Sequence, residues 1–231
     1  MLWYWICIEN LFTKEFGNVS NWLLESKVHE TPFKISLEIL PRMRTIYLAY
    51  HIGWNVYNKV NSVVSKIMRL PNDSLKLPQS LLEKANLLRE HGKKIYLANF
   101  IKALPEIKKY IKSELLLDQI NDISMFYSEK EYTVKMLDEK IKNAKSEVVM
   151  LYRMRNKIVH NANYDNFLLP YFLSSANQFA GDLLNRVLEL YYKEGILRLE
   201  EIMLRIFSEY DILRAKLNEQ GPSCLFRKDI F

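Results

Sequence analysis

Apolar residues recur at spacings of three and four along most of this 231-residue chain, the pattern of helices that turn one face inward. From Arg42 to Leu70, the residues Ile46, Tyr47, Tyr50, Trp54, Tyr57, Val60, Val64 and Ile67 keep that spacing and predict one long helix. Thr31-Pro32 interrupts an apolar segment before it, and Pro41 ends the next short run, because proline lacks an N–H and restricts the residue that precedes it. Pro71-Asn72-Asp73-Ser74 and Leu77-Pro78 read as turns. A helix from Gln79 to Glu90 is expected to close at His91-Gly92. After a helical stretch from Glu114 to Tyr127, Ser128 and Glu131 have the spacing of a capping box. Beyond Pro170, Phe172 to Tyr192 turns Phe179, Leu183, Leu184, Val187 and Leu190 inward. Gly195 separates it from a last helix, Ile196 to Leu217, stopped by Gly221-Pro222. The tail from Ser223 to Phe231 has no periodicity and is expected to be mobile.

Composition agrees with an all-α, multi-helix bundle. Only 6 Gly and 7 Pro leave little punctuation for many short strands. With 49% hydrophobic and 26% charged residues the chain can bury a sizeable core. A formal charge of +6 is compatible with a polyanionic partner. Cys7 and Cys224, near opposite ends, form no disulfide framework and point to a reducing, cytoplasmic setting. His29, His51, His91 and His160 lack metal-ligand companions at i+3 or i+4, so no metal and no cofactor is expected. Walker, dinucleotide and Gly-x-Ser-x-Gly motifs do not occur. The aromatic run Trp3 to Ile8 is too short to cross a bilayer and lacks the marks of a signal peptide, so no membrane partner is expected.

One segment breaks the apolar pattern: Val148 to Ala162, VVMLYRMRNKIVHNA. On a helix, at about 100° per residue, Val148, Leu151, Tyr152, Ile158 and Val159 form one stripe with Arg155 near its middle. A guanidinium there must be paired or put to use, because stripping it of water is costly. Asn156 and His160, four apart, share an adjacent face, and Arg153 lies along the same row. Arg155 and His160 splay by roughly 140° on a straight helix, so a bend, a helix end or a second copy must bring them together. An arginine fork grips phosphate and stabilises charge growing on it. A histidine exchanges protons near neutrality. The ribose 2′-hydroxyl supplies a nucleophile, so this set could cleave RNA without metal. The plainer reading has Arg155 anchor a carboxylate from a neighbouring helix while His160 ends its own.

Arg155-Asn156-Lys157-Ile158-Val159-His160 resembles the Arg-x4-His signature, with a polar residue after the Arg, of the HEPN superfamily of helical nucleases. LYRMRNKIVHNA is similar to the motif helix of the Apea-like HEPN group. Leu2 to Phe12, with Glu9, is similar to that group's Trp-rich first helix. The resemblance implies a HEPN-like domain over 1–222 with an inserted helical segment at about 14–128. It also implies a metal-independent endoribonuclease and a homodimer that shares both motifs across one interface, in an antiviral or toxin system. Arg155, Asn156 and His160 would be catalytic, with Arg153 and Lys157 contacting RNA. An additional effector domain or a regulatory partner fits the abrupt opening inside an apolar helix.

Two features depart from the family pattern. Nucleotidyltransferase-paired HEPN toxins carry a Tyr two residues after the His, where this chain has Ala162, with Tyr164 further on. Arg153 also satisfies an Arg-x6-His spacing, so two arginines compete for the essential role; Arg155 is preferred because Asn156 follows it. Two other basic or aromatic features are weighed as RNA contacts: the aromatic row of 46–67, and Lys93 to Lys112 with six lysines against one glutamate. Each also reads as ordinary helix face or core. The alternative from another class is a non-catalytic helical RNA- or protein-binding adaptor.

Overall fold

The computed structural model describes residue 4 and residues 32–71, 76–88, 95–161, 169–196 and 198–226. The protein is an all-α multi-helix bundle, with no strand among the described residues. Its helices are α1 (Pro32–Met68), α2 (Gln79–Lys84), α3 (Leu97–Ile107), α4 (Glu114–Ser128), α5 (Lys130–Asn161), α6 (Leu169–Lys193) and α7 (Leu199–Gln220). Short 3-10 turns span Lys108–Tyr110 and Gly221–Phe226. The chain forms two compact units: one takes 1–47 and 137–214, the other 48–136 and 215–231. The opening segment, with its Trp-rich run and Glu9, lies outside the described residues, as do Pro32's side chain and the turn at 72–75.

In the first unit, the early part of α1 packs with α5, α6 and α7. Ile35, Ile39, Leu40 and Met43 meet Val148, Leu151 and Met154, the α6 residues Phe172, Ala176, Phe179, Leu183 and Leu190, and Ile202, Met203 and Ile206. Phe33 stacks on Tyr152 with centroids 3.9 Å apart, and Lys145 bonds Glu38 at 2.8 Å. Arg42 bonds Asp211 at 3.2 Å and lies 3.9 Å over the Phe207 ring. Pro41 does not end a run, as its chemistry suggests; it lies inside α1. Proline in a helix interior costs about 3 kcal/mol. Each large aliphatic side chain buried around it returns about 1.5–3 kcal/mol, so the apolar face of 35–46 carries the helix through.

The α6 helix begins before Pro170, which sits in the first turn, where no intrahelical N–H is needed. Phe179, Leu183 and Leu190 face inward as expected, but Leu184 is exposed and Arg186 is buried in the face instead. Gly195, at φ +69°, closes α6, with the Ile196 amide reaching back to the Leu190 carbonyl at 3.3 Å.

In the second unit, Tyr57, Val60 and Val64 of α1 are buried, as are Phe100, Leu104 and Ile107 of α3 and Ile120, Ile123 and Phe126 of α4. The expected helix from Gln79 stops at Lys84, and 85–88 are turns with positive φ at Asn86 and Leu88. Tyr57 Oη donates to the Asn86 carbonyl at 2.7 Å, and Asn61 Oδ1 accepts from the Leu88 amide at 2.8 Å, which hold that strained turn. His91-Gly92 lies outside the described residues. Ser128 is not an N-cap: it ends α4 and its hydroxyl donates to the Ser124 carbonyl at 2.7 Å. Buried Thr133 anchors the start of α5 instead, donating to the carbonyls of Phe126 and Glu129. The first residues of the expected mobile tail are ordered in the 3-10 turn after Gly221. Cys224 and Leu225 are buried there, and Phe226 stacks on Tyr127 at 4.7 Å. Residues 227–231 lie outside the description.

Gly53 of α1 makes the tightest approach. A Cβ there would stand 2.6 Å from Tyr127 Oη and 2.8 Å from Leu97 Cδ2. Gly53→Ala is expected to cost about 1–3 kcal/mol by overpacking, lowering Tm by about 2–4 °C for each kcal/mol. Adding Tyr127→Phe, which removes the nearest atom, should recover part of that loss in a thermal melt.

Candidate functional site

The motif lies on the C-terminal third of α5, which runs as helix through Asn161. Core contact fixes its rotation. Ala144, Val148, Leu151 and Met154 are buried, and Tyr152 and Ile158 pack half-buried against the same core. Arg155 follows Leu151 by one turn and is itself half-buried on this inward row. Its Nη1 donates to Asn156 Oδ1 at 3.0 Å, so the two residues paired in the sequence pattern meet in space. Arg153 and Lys157 are exposed on the opposite side, and neither makes an ion pair with a described residue.

His160 is the penultimate residue of the helix. Its side chain lies outside the described residues, as do Val159's and the whole of 162–168, including Ala162 and Tyr164. Because the helix is unbroken from Arg155 to Asn161, backbone position 160 is turned roughly 140° from position 155 and about 7.5 Å further along the axis. It falls instead within about 20° of the row of Arg153. Asn156 stands between the two rows.

A second polar group on the same unit escaped sequence reasoning. Glu147 of α5 bonds Arg44 of α1 at 2.6 Å, and the other arm of that guanidinium bonds Gln178 of α6 at 3.0 Å. Arg44 also lies 4.6 Å over the Phe179 ring, and Tyr171 Oη donates to Glu147 at 3.5 Å. Asp182, one turn beyond Gln178, has a carboxylate oxygen buried with no hydrogen-bond partner. Burial raises its pKa, and the positive charge of Arg44 only partly counters this. These residues come from three helices far apart in sequence, so no spacing announces them. One signal was available: Glu147 is the sole acid between 140 and 161.

Arg186 of α6 is bonded to Glu209 of α7 and, at 2.8 Å, to Glu189. Burial opposes the Arg186 charge, but the hydrogen bonds and attraction of Glu209 and Glu189 prevail and raise its pKa. This buried cluster is a structural anchor between α6 and α7. In the second unit, burial lowers the pKa of His51, which favours its neutral ring. Of the aromatic row of α1, Tyr57 is buried, Tyr50 and Trp54 are half-buried, and Tyr47 is exposed. Lys102, Lys109 and Lys112 of the lysine-rich stretch are exposed; Lys93 and Lys94 lie outside the description. Among the described residues no group of three or more His, Cys, Asp or Glu side chains gathers as a metal site, and no helix is long and apolar enough to cross a membrane.

No family model, curated protein or solved structure matches this chain.

Asp182 yields a pH-dependent test. Its raised native pKa means that the folded state holds this proton more tightly than the unfolded state does. The ionised carboxylate therefore opposes folding at neutral pH, and the penalty disappears below about pH 4, where both states are protonated. Asp182→Asn is expected to raise Tm at pH 7, with the gain shrinking to nothing as melts are repeated toward acid.

Proposed function

We propose that this protein is a metal-independent endoribonuclease of the HEPN type, acting as a homodimer. The observation that supports the reading is a guanidinium held half-buried on a core-facing helix row and bonded to the polar residue that follows it, Arg155 to Asn156 at 3.0 Å. Such a group is fixed in position, and its charge is weakly screened at the edge of the core. With the helix unbroken from Arg155 to Asn161, a second copy of the chain is the proposed route by which an Arg155 and a His160 meet over one phosphate.

In the proposed reaction the ribose 2′-oxygen attacks the adjacent phosphorus and the bond from phosphorus to the 5′-oxygen breaks. His160 takes the 2′ proton and the leaving 5′-oxygen is protonated. The products are a 2′,3′-cyclic phosphate and a 5′-hydroxyl. Arg155 stabilises the negative charge that builds on the phosphoryl oxygens, and Asn156 orients the arginine. Arg153 and Lys157 add phosphate contacts. An antiviral or toxin role in the cytoplasm is the setting that the resemblance suggests.

One observation favours a non-catalytic adaptor: the Arg155 row is the row that packs the core, a place where arginine also serves structure. The two readings part on activity. Arg155→Ala or His160→Ala should reduce cleavage of single-stranded RNA by at least about a hundredfold, the scale of losing a main electrostatic or acid–base group, with the circular dichroism spectrum unchanged. Cleavage should persist in excess EDTA and leave a DNA oligonucleotide of the same sequence intact. Full activity in either variant overturns the nuclease reading, and dimers that never cleave RNA favour the adaptor.

A further inference from the structure

The outward side of α5 has a charge pattern that the motif alone does not account for. Between 140 and 161 the helix carries Lys140, Lys142, Lys145, Arg153, Arg155 and Lys157 against Glu147 alone. Glu147 is taken up by Arg44 at 2.6 Å, and Lys145 by Glu38 at 2.8 Å. What remains on one ridge, within roughly 80° of arc, is Lys142, Ser146, Met150, Arg153 and Lys157, all exposed. Lys142, Arg153 and Lys157 make no ion pair with any described residue. The ridge runs about 22 Å along the helix and points at the position of His160.

An aromatic ring lies on the side of α5 that carries Glu147, about 60° round the helix from Met150. Tyr171 is 54% exposed, although its hydroxyl reaches Glu147 at 3.5 Å and its ring meets Phe172 edge-on at 5.6 Å. Glu147 precedes Met150 by three residues, so these contacts turn an accessible ring toward the Met150 side of α5. Exposed cations that make no ion pair with a described residue, with an open ring nearby, are an arrangement that binds unpaired nucleic acid, phosphates on the cations and a base on the ring.

We propose that this ridge and Tyr171 form a binding track for single-stranded RNA. Arg153 and Lys157 hold neighbouring phosphates, Lys142 holds one further along the strand, Tyr171 stacks on an unpaired base, and the strand is led to the Arg155–His160 motif. The proposal rests on the nuclease reading for the identity of the polyanion, and extends the contact surface to Lys142 and Tyr171. Duplexes are disfavoured because their bases are already stacked on one another.

The test is fluorescence anisotropy with a short labelled oligoribonucleotide of mixed sequence and the full chain carrying His160→Ala, so that the strand survives. Lys142→Ala in that background should weaken binding and reduce the slope of log K against log salt by about 0.7. Tyr171→Leu should weaken binding by about five- to a hundredfold, Tyr171→Phe, which keeps the ring but loses the Glu147 contact, should weaken it less, and Lys102→Ala, in the other unit, should bind as the parent does. Parent affinity in both Lys142→Ala and Tyr171→Leu overturns the track, as does equal affinity for a blunt RNA duplex. Binding only to phosphatidylserine vesicles overturns it too. Ridge-dependent binding by a protein whose unmutated form cleaves no RNA removes the nuclease reading and keeps the track. Cleavage by the unmutated protein, with binding indifferent to Lys142 and Tyr171, does the reverse.

Discussion

Apolar contact among α1, α5, α6 and α7 is the constraint on which the candidate site depends. Val148 and Leu151 are fully buried against residues such as Ile39, Phe179 and Ile206. Each is worth about 1.5–3 kcal/mol removed from water. That contact leaves α5 little freedom to rotate, because turning it by one residue, about 100°, would expose the stripe. With rotation fixed, Arg155 must lie at the edge of the core, and Arg153 and Lys157 must face out. The chemistry proposed for the motif is a consequence of helix packing one to two turns upstream.

Charge desolvation explains both a success and an omission of the sequence reading. An arginine on an apolar row signals a group that must find partners, and the half-buried place of Arg155 was legible on that ground; its bond to Asn156 was not, because spacing sets Asn156 beside His160. The same reasoning applies to Arg186, which shares its row with Phe179, Leu183 and Leu190. Its main partner, Glu209, stands on the next helix among several acids, and periodicity alone does not choose between them. Arg44 shows the limit more sharply. Its guanidinium joins α5 and α6 from α1, and nothing local in the chain links those residues.

Helix class and most helix positions were readable because apolar spacing dominates this chain. Boundaries failed where a local rule met a stronger non-local effect. Pro41 is a breaker by its own chemistry, yet the face it sits on is buried on both sides of it. Ser128 has the spacing of a cap, but its hydroxyl bonds backward into α4 while the buried Thr133 organises the next helix. The tail looked featureless because Pro222, Cys224 and Leu225 are buried from a 3-10 turn, which has no three-and-four repeat to detect.

The ordering of that tail gives the chain an internal chemical sensor. Cys224 has no solvent exposure. Only thiolate that reaches solvent reacts with alkylating reagents, so the speed at which this sulfur is trapped reads out how often the C-terminal turn detaches. With Cys7 replaced by serine, mass-resolved trapping would time that local opening separately from global denaturation.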